Sequence, residues 1–141
     1  MTKNIQFNFT SKISLAERNK LKAFIFLIFK KEKKKPGNIS YVFCSDKEIL
    51  QINRSYLQHN YYTDIITFDL SQPGSPIIDA EIYISTDTVR DNAIRFKNSI
   101  KKELHRVIFH GILHLCGYKD KTPADQELMT KKENYYLELY F

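Results

Sequence analysis

Apolar side chains alternate with polar ones in some segments of the chain, and this period of two predicts strands. Residues 4–9 place Ile5, Phe7 and Phe9 between polar neighbours, so they form a predicted first strand. Apolar runs rich in β-branched or aromatic residues predict three further strands at residues 39–44, 63–70 and 77–84. Since a short polar loop separates the last two runs, we expect a hairpin-type connection between them.

A helical period of apolar residues occupies most of the remaining chain, and capping signals precede it. Ser14 with Glu17 and Ser45 with Glu48 have the spacing of capping boxes, so each pair predicts the start of a helix. The first of these helices would end in a lysine-rich stretch before Pro36-Gly37.

Three more helices are predicted in the second half of the chain. Ser85, Ser99 and Thr122 precede helical patterns, and Gly117 ends the second of these helices just after Cys116. The resulting order is β-α-β-α-β-β-α-α-α, which predicts an α+β fold with a small mixed four-stranded sheet and about five helices.

Composition limits the class of protein. The chain has 141 residues, of which 43% are hydrophobic, so we expect a single folded domain over residues 1–141. The longest apolar run, residues 23–29, is too short to cross a bilayer, and the first residues do not resemble a signal peptide. We therefore expect a cytoplasmic protein, in which Cys44 and Cys116 are reduced and buried.

Positive charge leaves two interpretations open. Lys and Arg total 22 against 16 Asp and Glu, and five lysines fall within residues 30–35. Such a cluster attracts a polyanion such as nucleic acid. It is equally typical of a solvated helix end that complements the helix dipole.

The candidate chemistry lies at the end of the predicted fourth helix. His110 and His114 are four residues apart, so both imidazoles project from one helical face toward a possible metal ion. Gly117 can turn the chain back toward that face, which would bring Asp120 into reach as a third ligand. This spacing is that of a zincin-like metal helix, with the fourth coordination position left for water.

The same helix is apolar around most of its circumference, so its polar side chains need partners. Metal binding would satisfy His110 and His114, and hydrogen bonds within the core are the alternative. Glu103 lies two turns earlier on nearly the same face, where it could orient a ligand histidine or remain exposed. His105 is predicted to face away from the pair.

Gly111 argues against peptidase chemistry. The metalloprotease motif H-E-x-x-H carries its general-base glutamate directly after the first histidine, and this chain has Gly111 there. A peptidase would therefore lack its usual base.

The segment HGILHLCGYKD, residues 110–120, resembles the H-G-x-L-H-L-x-G-Y-D-H signature of the YbeY family of endoribonucleases. Ile52-Asn53 with Tyr56, then residues 63–68, are similar to the family's L-N-x-x-Y-R and T-D-V-L-S-F, and Glu81-Ile82 to its D-I. The resemblance implies a zinc-dependent enzyme that cuts single-stranded RNA in ribosomal RNA maturation and ribosome quality control. RNA and the ribosome would be its partners, without DNA specificity or membrane attachment. One zinc ion per chain would be held by His110, His114 and Asp120.

The chain departs from the family pattern at two positions. Asp120 replaces the third histidine, and Lys119 precedes it in place of an aspartate. Leu57 stands where the family has an arginine thought to assist catalysis. Arg54 or His59 could replace that charge, although each is more typical of an ordinary surface residue, so the catalytic auxiliary stays unassigned.

A non-catalytic assembly factor for ribosomal RNA, with a structural metal site, is the main alternative function. A closed structural site would need a fourth ligand, which His59 or Asp64 could supply. A peptidase remains as a third hypothesis, separable by a digestion assay.

Overall fold

A four-stranded sheet forms the centre of the molecule. The structure, a computed structural model, describes residues 3–58 and 63–141. The strands are β1 (Asn4–Phe9), β2 (Lys35–Cys44), β3 (Ile65–Asp69) and β4 (Ile77–Ser85), in the spatial order β1-β2-β4-β3. β1, β2 and β4 are parallel, and β3 pairs with β4 as an antiparallel edge strand, with Ile65 opposite Ile84. The predicted mixed sheet and its hairpin are confirmed.

In the described residues, five helices connect and follow the strands, as the sequence predicts. They are α1 (Arg18–Lys31), α2 (Asp46–Leu57), α3 (Thr86–Arg95), α4 (Ile100–Leu115) and α5 (Pro123–Tyr140). The capping box at Ser45 and Glu48 is present, and Thr122 caps α5 with the help of Asp125. The predicted α+β class is therefore correct, and so is the predicted order of strands and helices.

The predicted capping box at Ser14 and Glu17 is wrong. Glu17 is itself the residue that precedes α1, and its backbone is left-handed with φ of 52° and makes no side-chain cap. Ile13 and Leu15 are buried, so core packing fixes the approach to the helix. Pro36-Gly37 also lies inside β2, where the register with β4 shifts after Pro36, and not at a helix end.

Apolar side chains fill both faces of the sheet. The larger cluster joins inward residues of β2 and β4, such as Tyr41 and Ile82, to α1, α4 and α5. A smaller cluster around Cys44, Ile49 and Ile66 holds α2 against the opposite face. Both cysteines are buried, and burial raises the pKa of each thiol to about 12, so both are unreactive.

Helix α4 lies against the sheet at Gly111. A Cβ atom at this position would lie 3.0 Å from Cδ1 of Ile65 and 3.3 Å from Cδ1 of Ile82. The absent side chain thus lets α4 approach β3 and β4 closely. Within the described part of the chain, no helix combines the length and the apolar character that crossing a bilayer requires.

Candidate metal centre

An open cleft of about 720 Å³ runs between β3, α4 and α5. It contains the side chains that the sequence singles out as chemical candidates, on one wall formed by α4 and the turn after it. The described lining residues that matter below are Asp64, Thr67, Asp69, Arg106, His110, His114, Asp120 and Glu133.

Three of these side chains converge on one point. Nε2 of His110 lies 3.4 Å from Oδ2 of Asp120, and Nε2 of His114 lies 3.3 Å from the same oxygen. The three donor atoms are within 4.8 Å of one another, a group that could hold a metal ion. The structure therefore brings the predicted residues together, with two imidazole nitrogens and one carboxylate oxygen facing the cleft.

The turn after α4 orients His114. Gly117 has φ of 107°, a backbone conformation that side chains disfavour, and the turn brings the carbonyl of Tyr118 back to the helix. His114 Nδ1 lies 2.9 Å from that carbonyl oxygen, so Nδ1 carries the proton that it donates there. The lone pair of His114 Nε2 is then left pointing toward Asp120.

Glu32 holds this turn in place from another part of the molecule. Its carboxylate, just after α1, accepts hydrogen bonds from the hydroxyls of Tyr118 (2.7 Å) and Tyr136 and from Nζ of Lys132 (3.3 Å). Burial opposes ionisation of Glu32, but these hydrogen bonds outweigh it and leave its pKa below the ordinary value. The turn that carries Asp120 is thus held in position by an ionised, half-buried carboxylate.

A carboxylate from α5 orients His110. Glu133, whose side chain is 3% exposed, accepts a hydrogen bond from His110 Nδ1 through Oε2. Burial lowers the pKa of His110, but the hydrogen bond and charge of Glu133, with Asp64 and Asp120 nearby, raise it above its ordinary value. Glu133 therefore orients His110 by accepting from its Nδ1, as the Tyr118 carbonyl orients His114.

The sequence leaves two roles open for Glu103, orienting a ligand histidine or remaining exposed, and the structure shows neither of them. Glu103 is fully buried, and its carboxylate pairs with Arg106 instead of His110. Arg106 is also the arginine among the described residues that line the cleft, one turn before His110. The i, i+4 spacing of Arg106 and His110 was the available signal for it, whereas nothing in the local sequence marks Glu133.

The remaining candidates take other positions. Leu57 ends α2 on the surface, Arg54 is not among the residues that line the cleft, and His59 lies outside the described residues. Asp64 lines the cleft but does not belong to the three-residue group. His105 is buried, with its ring stacked on Tyr140, and so faces away from the pair as predicted.

An α+β fold that presents a helical histidine pair and a turn carboxylate in an open cleft is typical of metal-dependent hydrolases. The family model described as "Endoribonuclease YbeY" matches residues 4–140. The chain belongs to the YbeY family, whose members are nucleases that act on RNA.

Individual relatives agree with this assignment. The "Endoribonuclease YbeY" of Parabacteroides distasonis is 56% identical over 101 residues, which are 72% of this chain and 70% of the relative. That of Cytophaga hutchinsonii is 46% identical over 133 residues, covering 94% of this chain and 92% of the relative. A solution structure of a Thermotoga maritima protein shares 27% identity with a TM-score of 0.63, covering 97% of this chain and 89% of that one.

Proposed function

We propose that this chain is a single-strand-specific endoribonuclease that holds one zinc ion through His110, His114 and Asp120. We further propose that it acts as a single cytoplasmic domain, on ribosomal RNA during its maturation and during ribosome quality control. The observation that supports a metal centre is the convergence of two imidazole nitrogens and one carboxylate oxygen in the cleft.

The donor set fits zinc. Two neutral imidazoles and a carboxylate are common ligands of catalytic zinc, which keeps three protein ligands and one open position. Both Nδ1 atoms already have acceptors, so the lone pairs of both Nε2 atoms would be available to bind the ion. A divalent ion held there would polarise a phosphate oxygen and lower the pKa of water, which is the chemistry that phosphodiester hydrolysis needs.

The charge of the cleft supports the requirement for a cation. Asp64, Asp69, Asp120 and Glu133 bring four carboxylates to its described lining, and Arg106 brings one guanidinium. An RNA phosphate approaching these side chains alone would be repelled. A divalent ion between His110, His114 and Asp120 would reverse the local field at the point where the phosphate must sit.

No lysine of residues 30–35 is among the described residues that line the cleft, but the run contacts α5 and the turn that border it. Glu32 is within that run, and its hydrogen bond with Tyr118 joins it to the turn that carries Asp120. Lys31 contacts Tyr135 on α5 through its Nζ, at 3.2 Å from the hydroxyl. We infer that these lysines hold the RNA backbone beside the site, as the charge pattern indicates.

Binding of single-stranded RNA should therefore weaken steeply with added salt, because each phosphate contact releases counterions. The measurement is a titration of a labelled single strand at several salt concentrations, with a duplex of the same sequence for comparison. An affinity that does not change with salt concentration would show that the lysines do not contact the RNA phosphates, and it would favour a protein partner.

The rival functions have less support. A closed structural site needs a fourth ligand; the described residues supply three to the group, Asp64 is not one of them, and His59 lies outside the described residues. For a peptidase, the position of the missing base faces the sheet and not the cleft, because Gly111 lies against Ile65 and Ile82. A peptide digestion assay separates that hypothesis directly.

The test of the proposed function is RNA cleavage by chelator-treated protein before and after zinc is restored. The parent should cut single-stranded RNA internally only when zinc is present, and His114→Ala should be slower by at least about 100-fold. A matched variant, Arg90→Gln, changes an arginine that donates to the Lys12 carbonyl and does not line the cleft, so it should keep parental activity. Equal cleavage by the parent and His114→Ala, or cleavage that persists without metal, would reject the proposal.

A further inference from the structure

A charged group of three side chains lies directly behind His110. Arg106 donates from Nε to Oε1 of Glu103 at 3.0 Å, and a second guanidinium nitrogen bonds the other Glu103 oxygen. Its third nitrogen, Nη1, lies 3.1 Å from Oε1 of Glu133. One guanidinium thus joins a carboxylate of its own helix to a carboxylate of α5.

Both carboxylates are removed from solvent. The Glu103 side chain is 0% exposed and the Glu133 side chain 3%, whereas Arg106 is 28% exposed at the edge of the cleft. Ion pairs buried in this way are weak sources of stability, since the loss of hydration offsets their attraction, and apolar replacements are often as stable. The group therefore calls for an explanation other than folding.

Glu133 divides its two oxygens between Arg106 and the candidate ligand. Oε1 accepts from Arg106 Nη1, and Oε2 accepts from His110 Nδ1. With Oε1 held, the carboxylate cannot rotate away from the imidazole, so the ring plane and the direction of Nε2 are fixed. Glu103 holds the guanidinium with two further hydrogen bonds and so anchors the arrangement to α4.

We propose that Arg106 is a positioning residue for the metal centre, which acts on His110 through Glu133. The inference rests on the proposed zinc site, and it assigns to this cleft arginine a role distinct from contact with the substrate. Removing the guanidinium would leave Glu133 buried without its cation and free to turn, so that His110 would present Nε2 less often in the ligating direction.

A double-mutant cycle on zinc affinity tests the route of this effect. Four proteins are compared by competition with a zinc chelator at fixed pH: the parent, Arg106→Gln, Glu133→Gln and the double variant. We expect Arg106→Gln to weaken zinc binding by about 10–100-fold in the parent. In the Glu133→Gln background the same change should have less than about a threefold further effect, since its route to His110 is already lost.

Two controls keep the test decisive. Arg90→Gln also removes an arginine, but one that does not line the cleft, and should bind zinc like the parent. Arg106→Lys keeps a cation without the planar fork, so it should bind zinc with intermediate affinity, and it replaces Arg106→Gln in the cycle if that variant does not fold.

The outcomes separate this inference from the proposed function. If the parent itself binds no zinc, the proposed metal centre fails. If the parent binds zinc and the Arg106 variants bind it equally well, the positioning role alone is wrong. Equal fold-losses with and without Glu133 would also overturn it, because Arg106 would then act by some route other than Glu133.

Discussion

The two histidines of the candidate centre are held by different kinds of structure. His114 is oriented by the Tyr118 carbonyl, four residues further along the chain. His110 is oriented by Glu133, which is 23 residues away on another helix and is itself held by Arg106. One half of the site is a local consequence of the helix end, and the other half exists only after α5 has packed on α4.

This difference teaches where each half is vulnerable. A backbone carbonyl cannot be removed by a side-chain substitution, so the half of the site at His114 depends on the turn and on Asp120. The half at His110 depends on a buried carboxylate whose loss leaves a histidine without its acceptor. Substitutions in the two halves should therefore weaken zinc binding for different reasons: loss of a donor atom in one half, and loss of the acceptor that orients His110 in the other.

The largest expected effect is at Asp120, the proposed ligand carried by the turn. Asp120→Ala should weaken zinc binding by more than about 100-fold, since it removes one of three donors. Asp120→His should retain zinc by restoring the family's histidine at this position, and Asp120→Asn should be intermediate. Chelator competition at fixed pH gives this ranking, and an alanine variant that holds zinc as tightly as the parent would remove Asp120 from the site.

Glu133→Gln should have the next largest effect. The amide keeps the shape of the side chain but loses the charge that attracts the Nδ1 proton of His110, so zinc affinity should fall by about 10–100-fold. Glu138→Gln, an exposed change on the same helix, is the matched control and should leave affinity unchanged. Were the two variants indistinguishable, His110 would not depend on its contact with α5.

The smallest effect concerns the anchor of the turn and depends on pH. The pKa of Glu32 is depressed in the folded protein, so its contribution to stability is present above the unfolded value of 4.5 and is lost as pH falls through the lower folded value. Near neutral pH the parent should be more stable than Glu32→Gln by about 1.5–3 kcal/mol, the range for hydrogen bonds to a charged group.

The difference in unfolding free energy between the parent and Glu32→Gln should shrink as the pH falls below about 4.5, the pKa of Glu32 in the unfolded chain. Denaturant unfolding of both proteins at a series of pH values measures it, with the exposed Glu127→Gln as the control. A gap between parent and Glu32→Gln that stays constant down to acid pH would show that the Glu32 charge does not anchor the turn.

The same division explains what the sequence could predict. Strand alternation, helical period and the caps at Ser45 and Thr122 act over a few residues, so the order of elements follows from the sequence. His110, His114 and Asp120 come together through one helix and one glycine turn, and their spacing reveals it. Local signals are sufficient where the structure itself is local.

Local signals fail where distant packing decides. The Ser14 and Glu17 pattern predicts a cap, yet burial of Ile13 and Leu15 sets a different entry into α1. Glu103 has helical spacing toward His110, but Arg106 takes both of its oxygens, and the acceptor comes from Glu133. Which carboxylate reaches the histidine depends on how α5 packs on α4, and no short-range pattern encodes that packing.

Zinc stoichiometry tests the central claim most directly. Elemental analysis of the purified parent, supplied with zinc and then dialysed, should find about one zinc per chain, because two imidazoles and one carboxylate suffice for a three-ligand site. His114→Ala, treated identically, should retain little. Zinc well below one per chain in the parent, unimproved by added metal, would show that the histidines are polar core residues and that the metal centre does not exist.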